Sequence, residues 1–173
     1  YTYDCLNRMT KMADEEGNVK SCEYDAAGNM ISFTDANHNT WNYDYDALNR
    51  MTGVIDKNGD RLTLEYTNTG KIAKVTDKEG AETAYQYDSM GRLLQMTDAA
   101  GHSLKFTYDK MGRVLTQTDA AGNLTEYTYS MSGNLLTRKD PEGNTVSYTY
   151  DAAGRITRVT DALGNTMTYT RDA

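Results

Sequence analysis

The chain has 173 residues, a net charge of −7 and an apolar fraction of 38%, with 14 tyrosines and nine methionines against one tryptophan. Its 18 lysines and arginines are spread along the sequence, and the absence of a basic cluster argues against a nucleic-acid partner. No run of about 18 apolar residues is present, so no membrane span is expected.

Tyrosine recurs every 21 residues along the whole chain. The positions are Tyr3, Tyr24, Tyr45, Tyr66, Tyr87, Tyr108, Tyr129 and Tyr150. A fixed period without insertions is typical of repeat architectures. The sequence therefore predicts a single array of eight 21-residue repeats over residues 1–173. Because the chain begins and ends inside a repeat and shows no signal peptide, we expect it to be a fragment of a larger protein.

Each repeat carries two turn signals. The first is Asp-x-x-Gly-Arg, as at 109–113, and the second is Asp-x-x-Gly, often followed by Asn, as at 119–123. The Asp side chain can accept hydrogen bonds from nearby backbone N–H groups, and the Gly can adopt positive φ. Both signals predict a three-residue hairpin loop, in which a left-handed residue closes a type I turn.

A few positions depart from this pattern. Thr67 and Ser130 replace the first-turn Asp, and Asn7 and Asn49 replace the first-turn Gly, which Asn tolerates. His38 replaces a second-turn Gly, and Arg171 stands where a ninth Tyr is expected.

The segments between turns predict β-strands. Residues 113–119 and 123–129 are examples, each about seven residues long and rich in Thr, Tyr, Val and Leu. Such segments are too short and too β-branched for helices. The predicted fold class is all-β, a long twisted antiparallel meander of β-hairpin repeats.

The second strand of each repeat places large side chains on one face, as with Leu104, Phe106 and Tyr108. First-strand residues such as Phe33, Val75 and Met96 could fill the gaps between these columns. The tyrosines chosen as candidate binding residues are Tyr43, Tyr45, Tyr85, Tyr87, Tyr108, Tyr127, Tyr129, Tyr148 and Tyr150. Two interpretations stay open: cross-strand packing, or aromatic rows that stack on sugars or on an unfolded client.

The motif at 108–114, Tyr-Asp-Lys-Met-Gly-Arg-Val, and its copy at 150–156 are similar to the YD repeat of the Rhs (rearrangement hotspot) family. The resemblance covers essentially the whole chain. It implies a relative of large bacterial secreted or surface proteins, of toxin-complex B and C components and of teneurins. In this family YD repeats form a β-sheet that spirals into a hollow shell, which encloses a variable C-terminal toxin in polymorphic toxins. YD repeats have also been linked to carbohydrate binding.

The resemblance implies a non-catalytic, secreted or cell-surface shell segment. Its expected partners are the toxin or effector domain of the same parent protein, or other shell segments. The alternative is a glycan- or receptor-binding surface of an adhesion protein. The terminal strands would expose unpaired backbone groups, so edge-to-edge self-association of the fragment is also expected.

The residues give no sign of catalysis, a metal site or a cofactor. His38 and His102 both fall in second turns, and no Ser-His-Asp set or phosphate loop can be drawn. The second-turn aspartates carry oxygen ligands that suit Ca²⁺, but successive ones should lie about 10 Å apart, which is too far to share an ion. These aspartates are Asp14, Asp35, Asp56, Asp77, Asp98, Asp119, Asp140 and Asp161.

Three smaller features have ordinary structural interpretations. Asp140-Pro141 resembles the self-cleavage region of Rhs toxins, but it lies in register with the other second turns. Cys5 and Cys22 are expected about 10 Å apart, as free thiols. Asp and Arg at the two ends of a first turn should pair, either to stabilise the turn or to form a charged row facing a ligand. The pairs are Asp46/Arg50, Asp88/Arg92, Asp109/Arg113 and Asp151/Arg155.

Overall fold

A computed structural model describes residues 1–170 of the chain. The chain divides into two compact units, Tyr1–Ala84 and Tyr85–Ala173. Arg171, the departure at the ninth tyrosine position, lies outside the described residues.

Residues 1–170 contain seventeen β-strands and no helix, which confirms the predicted all-β class. In chain order the strands are β1 (Thr2–Tyr3), β2 (Met9–Ala13), β3 (Val19–Tyr24), β4 (Met30–Thr34), β5 (Thr40–Tyr45), β6 (Met51–Ile55), β7 (Arg61–Tyr66), β8 (Ile72–Thr76), β9 (Glu82–Tyr87), β10 (Leu93–Thr97), β11 (Ser103–Tyr108), β12 (Val114–Thr118), β13 (Leu124–Tyr129), β14 (Leu135–Lys139), β15 (Thr145–Tyr150), β16 (Ile156–Thr160) and β17 (Thr166–Thr168).

Consecutive strands pair antiparallel within each unit, as the predicted meander requires. Two strands joined by a first turn stay in register along their length, from Lys105 opposite Thr118 to Tyr108 opposite Val114, with a one-residue shift just before the tyrosine. Two strands joined by a second turn are in register only near that turn. In β12/β13 the register begins at Thr118 opposite Leu124 and ends at Thr116 opposite Glu126.

All sixteen turns in residues 1–170 share one backbone pattern. At the turn that begins with Asp109, the N–H of Gly112 donates to the carbonyl of Asp109 at 3.1 Å, and the N–H of Asp109 donates to the carbonyl of Arg113 at 2.9 Å. The fourth residue always has positive φ, and it is glycine except at Asn7, His38 and Asn49, where φ is 60°, 63° and 59°. The predicted three-residue loop is therefore confirmed, including at the three positions that lack glycine.

Within each unit the two faces of the sheet differ in chemistry. On the aromatic face, Leu104, Phe106 and Tyr108 are half-buried, whereas the alternate residues Lys105 and Thr107 are exposed on the polar face. The proposed gap-filling also occurs: the Phe33 ring lies 5.9 Å from the Trp41 ring on the neighbouring strand.

Hydroxyl pairs and ion pairs cross the polar face. The Thr107 and Thr116 hydroxyls are 2.6 Å apart, and the same pair recurs one repeat later at Thr128 and Thr137. Lys74 contacts Glu65 and Glu82 at 2.8 and 2.9 Å, and these hydrogen bonds raise the pKa of Lys74 to about 12.

Neither unit has a conventional hydrophobic core. Among residues 1–170, Cys22 is the one apolar residue that counts as buried, at 9% exposure. Each unit is thus a single-layered sheet. Its backbone ladders and side-chain rows, instead of a second packed layer, hold it together.

Candidate functional site

The aspartate that begins a turn caps the turn with both carboxylate oxygens. Asp109 Oδ1 accepts hydrogen bonds from the backbone N–H groups of Met111 and Arg113 at 2.8 and 2.9 Å. Its Oδ2 accepts a bond from Arg113 Nε at 2.6 Å. Thr67 and Ser130 supply a hydroxyl in place of the carboxylate. The backbone N–H of the residue four places ahead donates to that hydroxyl at 3.1 Å in each case.

The predicted pairing of Asp and Arg across the first turn is confirmed. Arg Nε lies 2.6–2.8 Å from Asp Oδ2 in five turns: Asp4/Arg8, Asp46/Arg50, Asp88/Arg92, Asp109/Arg113 and Asp151/Arg155. Hydrogen bonds from the backbone and side chain of the arginine hold the pKa of each aspartate below its usual value. These aspartates are therefore ionised at neutral pH.

The same guanidinium groups also reach the next repeat. Arg92 lies over the ring of Tyr108, 4.7 Å from its centroid, and donates to the carbonyl of Asp109 at 2.9 Å. We call this set of three contacts the Arg clamp. The arginine bonds the aspartate of its own turn, covers the tyrosine ring of the next repeat, and donates to the carbonyl of the residue after that tyrosine. The Arg clamp recurs at Arg8 over Tyr24, Arg50 over Tyr66 and Arg113 over Tyr129, with ring distances of 4.6–4.8 Å.

Solvent exposure separates the clamped arginines from the unclamped one. The side chains of Arg8, Arg50, Arg92 and Arg113 are 24–29% exposed, whereas Arg155 is 57% exposed. Arg155 keeps its bond to Asp151 but has no ring over it among the described residues. The clamp was not predicted from the sequence, although Arg and Tyr recur 16 residues apart at each clamped position.

Tyrosine hydroxyl groups bridge the strand pair at the same end. The Tyr108 hydroxyl donates to the carbonyl of Leu93 at 2.7 Å, and the Tyr150 hydroxyl donates to that of Leu135 at 2.8 Å. Tyr24, Tyr45 and Tyr66 make equivalent bonds. These bonds lie beyond the last ladder pair of each second-turn hairpin, where a carbonyl would otherwise lack a partner.

The structure thus divides the nine candidate tyrosines into two rows. The row next to the first turns comprises Tyr45, Tyr87, Tyr108, Tyr129 and Tyr150, and it contains the rings and hydroxyls used in the contacts above. The second row comprises Tyr43, Tyr85, Tyr127 and Tyr148, all half-buried. The four hydroxyls of the second row make no hydrogen bond to residues 1–170, so they can accept an outside partner.

The second-turn edge has a simpler chemistry. Asn at the fourth position after the turn-opening Asp donates to its carboxylate, as Asn123 does to Asp119 at 2.9 Å, and the bond lowers the pKa of the aspartate. At the second turns these Asn side chains bond the aspartate of their own turn. Asp140-Pro141 lies in an ordinary turn of this kind, with Gly143 donating to the carbonyl of Asp140 at 3.0 Å.

The remaining titratable candidates are dispersed. His102 Nδ1 lies 3.0 Å from Asp98 within one turn, and His38 occupies a left-handed turn position. Cys5 is exposed and Cys22 buried, both as free thiols, as predicted. Within residues 1–170, no three His, Cys, Asp or Glu side chains converge as metal ligands.

One cleft of about 360 Å³ lies at the second-turn edge of the first unit, over Val54 and Leu62. Its charged lining is already engaged: Lys78 binds Asp60 at 3.0 Å, and Asp56 caps its own turn through the N–H of Asn58. The described part of the chain contains no helix that could span a membrane.

Comparison with protein families identifies the fold. The family described as Teneurin YD-shell matches residues 1–134. The chain belongs to this YD-shell family. A second description, RHS Repeat, matches residues 129–166 and 150–173 of the YD-shell chain. No curated protein matches its sequence.

Solved structures similar to this YD-shell chain include toxin-complex proteins. A crystal structure of TcdB2-TccC3 without the hypervariable C-terminal region has a TM-score of 0.75 at 15% identity, over 96% of this chain and 11% of that chain. A crystal structure of TcdB2-TccC3-TEV has a TM-score of 0.74 at 17% identity, over 97% of this chain and 11% of that chain. A Photorhabdus luminescens Tc holotoxin pore with a TccC3 mutation has a TM-score of 0.70 at 19% identity, over 90% of this chain and 10% of that chain. The likeness concerns the fold, and the chain spans about a tenth of the length of these relatives.

Proposed function

We propose that the chain is a non-catalytic wall segment of a shell that encloses or carries a toxin or effector domain of the same parent protein, in a secreted or cell-surface setting. The observation that carries the proposal is the single-layered sheet itself, which has one aromatic and one polar face and no enclosed core. A wall separates two spaces, and a layer one sheet thick with two different faces suits that task.

The use of the reactive side chains supports the same proposal. The turn aspartates cap backbone N–H groups, the first-turn arginines bind Asp and Tyr, and the Tyr hydroxyls bind carbonyls. Among residues 1–170, groups held in this way maintain turns and strand pairs instead of acting as an acid, base or nucleophile on a substrate. The toxin-complex proteins with similar folds extend the proposal to an enclosed domain.

Limited proteolysis of the full-length parent protein tests the proposal. The domain that follows the array should resist protease while the wall is intact and become sensitive once mild denaturant opens the sheet. Rapid cleavage of that domain in the untreated parent protein would overturn enclosure. A cryo-electron microscopy map would locate residues 1–170 in the wall or in a free arm.

A second candidate function, glycan or receptor binding, is favoured by the row of tyrosines with unbonded hydroxyls. A binding surface of this type should lose glycan binding when Tyr85, Tyr127 and Tyr148 are all changed to Ala. The matched control is Thr107→Ala/Thr128→Ala on the polar face. A glycan array on which the unmodified chain binds nothing would remove this candidate and leave the wall proposal standing.

A further inference from the structure

Three consecutive second-turn hairpins of the second unit differ in the side-chain contacts that hold their two strands together at the end far from the turn. We call this the open end, because the backbone register stops short of it in β10/β11, β12/β13 and β14/β15. Side chains must hold the open end, since the ladder does not. The three hairpins share one ladder register, so the side chains at their open ends can be compared directly.

The first two open ends carry an Arg clamp. In β10/β11, Arg92 covers Tyr108 and donates to Asp109. In β12/β13, Arg113 covers the Tyr129 ring at 4.8 Å and donates to the Ser130 carbonyl at 2.8 Å.

The third open end, in β14/β15, lacks the clamp. Residue 134 is Asn, and its backbone and side-chain bonds go to Ser130 at 3.1 Å and Ser132 at 3.5 Å, both inside its own turn. Tyr150 and Asp151 remain in the positions that a clamp would use. Among residues 1–170, the Tyr150 hydroxyl bond to the Leu135 carbonyl is the one side-chain hydrogen bond that spans this open end.

We propose that the Arg clamp sets the order in which hairpins of the second unit open, and that β14/β15 is the built-in weak seam. A guanidinium stacked on an aromatic ring and bonded to a carbonyl holds two strands that are otherwise unpaired there. Where Asn replaces Arg, local opening needs only the loss of one hydroxyl bond. The seam depends on the described contacts and not on the proposed enclosure of a second domain.

The first test installs the missing clamp. Ser130→Asp with Asn134→Arg recreates the Asp–Arg pair beneath Tyr150 and Asp151. Hydrogen exchange of the amides around residues 148–151, measured on the whole chain, should slow about three- to tenfold, the effect of one partly exposed cation–π contact with its hydrogen bond. Asn123→Arg is the matched control, because it adds an arginine beside Asp119. The residue 16 places ahead of it is Lys139, so no aromatic ring is available for a clamp.

The second test removes an existing clamp. Arg113→Asn should speed exchange around residues 127–130 by a similar factor and leave β10/β11 unchanged. The two variants shift exchange in opposite directions, so a folding defect in one does not remove the test. Unchanged exchange at 148–151 with the installed Arg, or an equal slowing in Asn123→Arg, would overturn the proposal.

Discussion

Asp109 shows how much one residue contributes to this fold. Its side chain accepts three hydrogen bonds from its own turn, and its carbonyl accepts two more, from Gly112 and from Arg92 of the preceding repeat. Asp suits the position because a short carboxylate can reach backbone N–H groups two and four residues ahead at once. Asp therefore opens fourteen of the sixteen turns in residues 1–170. Thirteen of these aspartates have a lowered pKa.

Glycine at the fourth turn position is needed for its backbone conformation alone. Gly122 has a φ of +85°, and a Cβ placed there would meet nothing within 4 Å. Gly122→Ala should lower the free energy of unfolding by about 1 kcal/mol, because an L side chain is strained in the left-handed region. Urea titration followed by circular dichroism measures the change, and an unchanged unfolding free energy would contradict this origin of the glycine.

His38 offers the reverse substitution. It sits at the equivalent position with a φ of +63°. His38→Gly should raise the unfolding free energy by up to about 1 kcal/mol, since the strain is removed while the turn hydrogen bonds stay in place. The comparison variant is His102→Gly, one residue beyond the corresponding turn position, where no gain is expected. A loss of stability in His38→Gly would show that the imidazole has a stabilising role.

At the scale of the element, the second-turn hairpins depend on side chains at their open ends. Tyr108→Phe keeps the ring under Arg92 but removes the hydroxyl bond to the Leu93 carbonyl. We expect a loss of about 1 kcal/mol, the usual net value of one hydrogen bond with a partly buried partner. Tyr127→Phe, whose hydroxyl has no partner in residues 1–170, should be close to neutral in the same thermal melt. Equal losses in the two variants would refute the bridging role.

The turns also make the strands sensitive to acid. Hydrogen bonds from the residue four places ahead lower the pKa of the turn aspartates, as Asn165 does for Asp161 and Arg155 for Asp151. A folded-state pKa below the unfolded value, which is about 3.9, stabilises the folded state above that pH. Stability should therefore be flat from about pH 5 to 8 and fall as the pH drops below about 4 towards the folded-state values.

Melting temperatures measured across that pH range check the expectation. Asp119→Asn removes one titrating carboxylate while keeping an acceptor oxygen, so its melting temperature should fall less steeply with acid than that of the unmodified chain. A melting temperature that does not change down to pH 2 would mean that the carboxylate form is not required.

Much of the architecture follows from the sequence because its signals are local and repeated. The Asp-x-x-Gly pattern predicted the turn type even at Asn7 and His38, and the short β-branched segments predicted the strands. The Arg clamp was not predicted, because it joins residues 16 apart across a strand pair whose ladder stops early. Period and composition carry no information about where a ladder ends, so the open ends could not be predicted from the sequence.

At the scale of the whole chain, the terminal strands pair on one side only. β1 pairs with β2 and β17 with β16, and no other partner for either exists in residues 1–170. We propose that the isolated 173-residue chain self-associates through these edges, because unpaired N–H and C=O groups bind another strand. Sedimentation should show the mean mass rising with concentration. Proline at Thr168 should reduce the effect by removing a donor, and a concentration-independent monomer would contradict it.

The uniform turns have a consequence for the way such a chain can change in length. Every first turn presents the same backbone geometry to the strand that follows, so the polypeptide can be cut after Thr107 and rejoined at Tyr129 without altering the backbone hydrogen-bond pattern of the turn. One whole module is then lost, and the strands on either side remain antiparallel. Unequal recombination between such modules would therefore add or delete complete hairpin repeats, and each product would keep the antiparallel order of its strands.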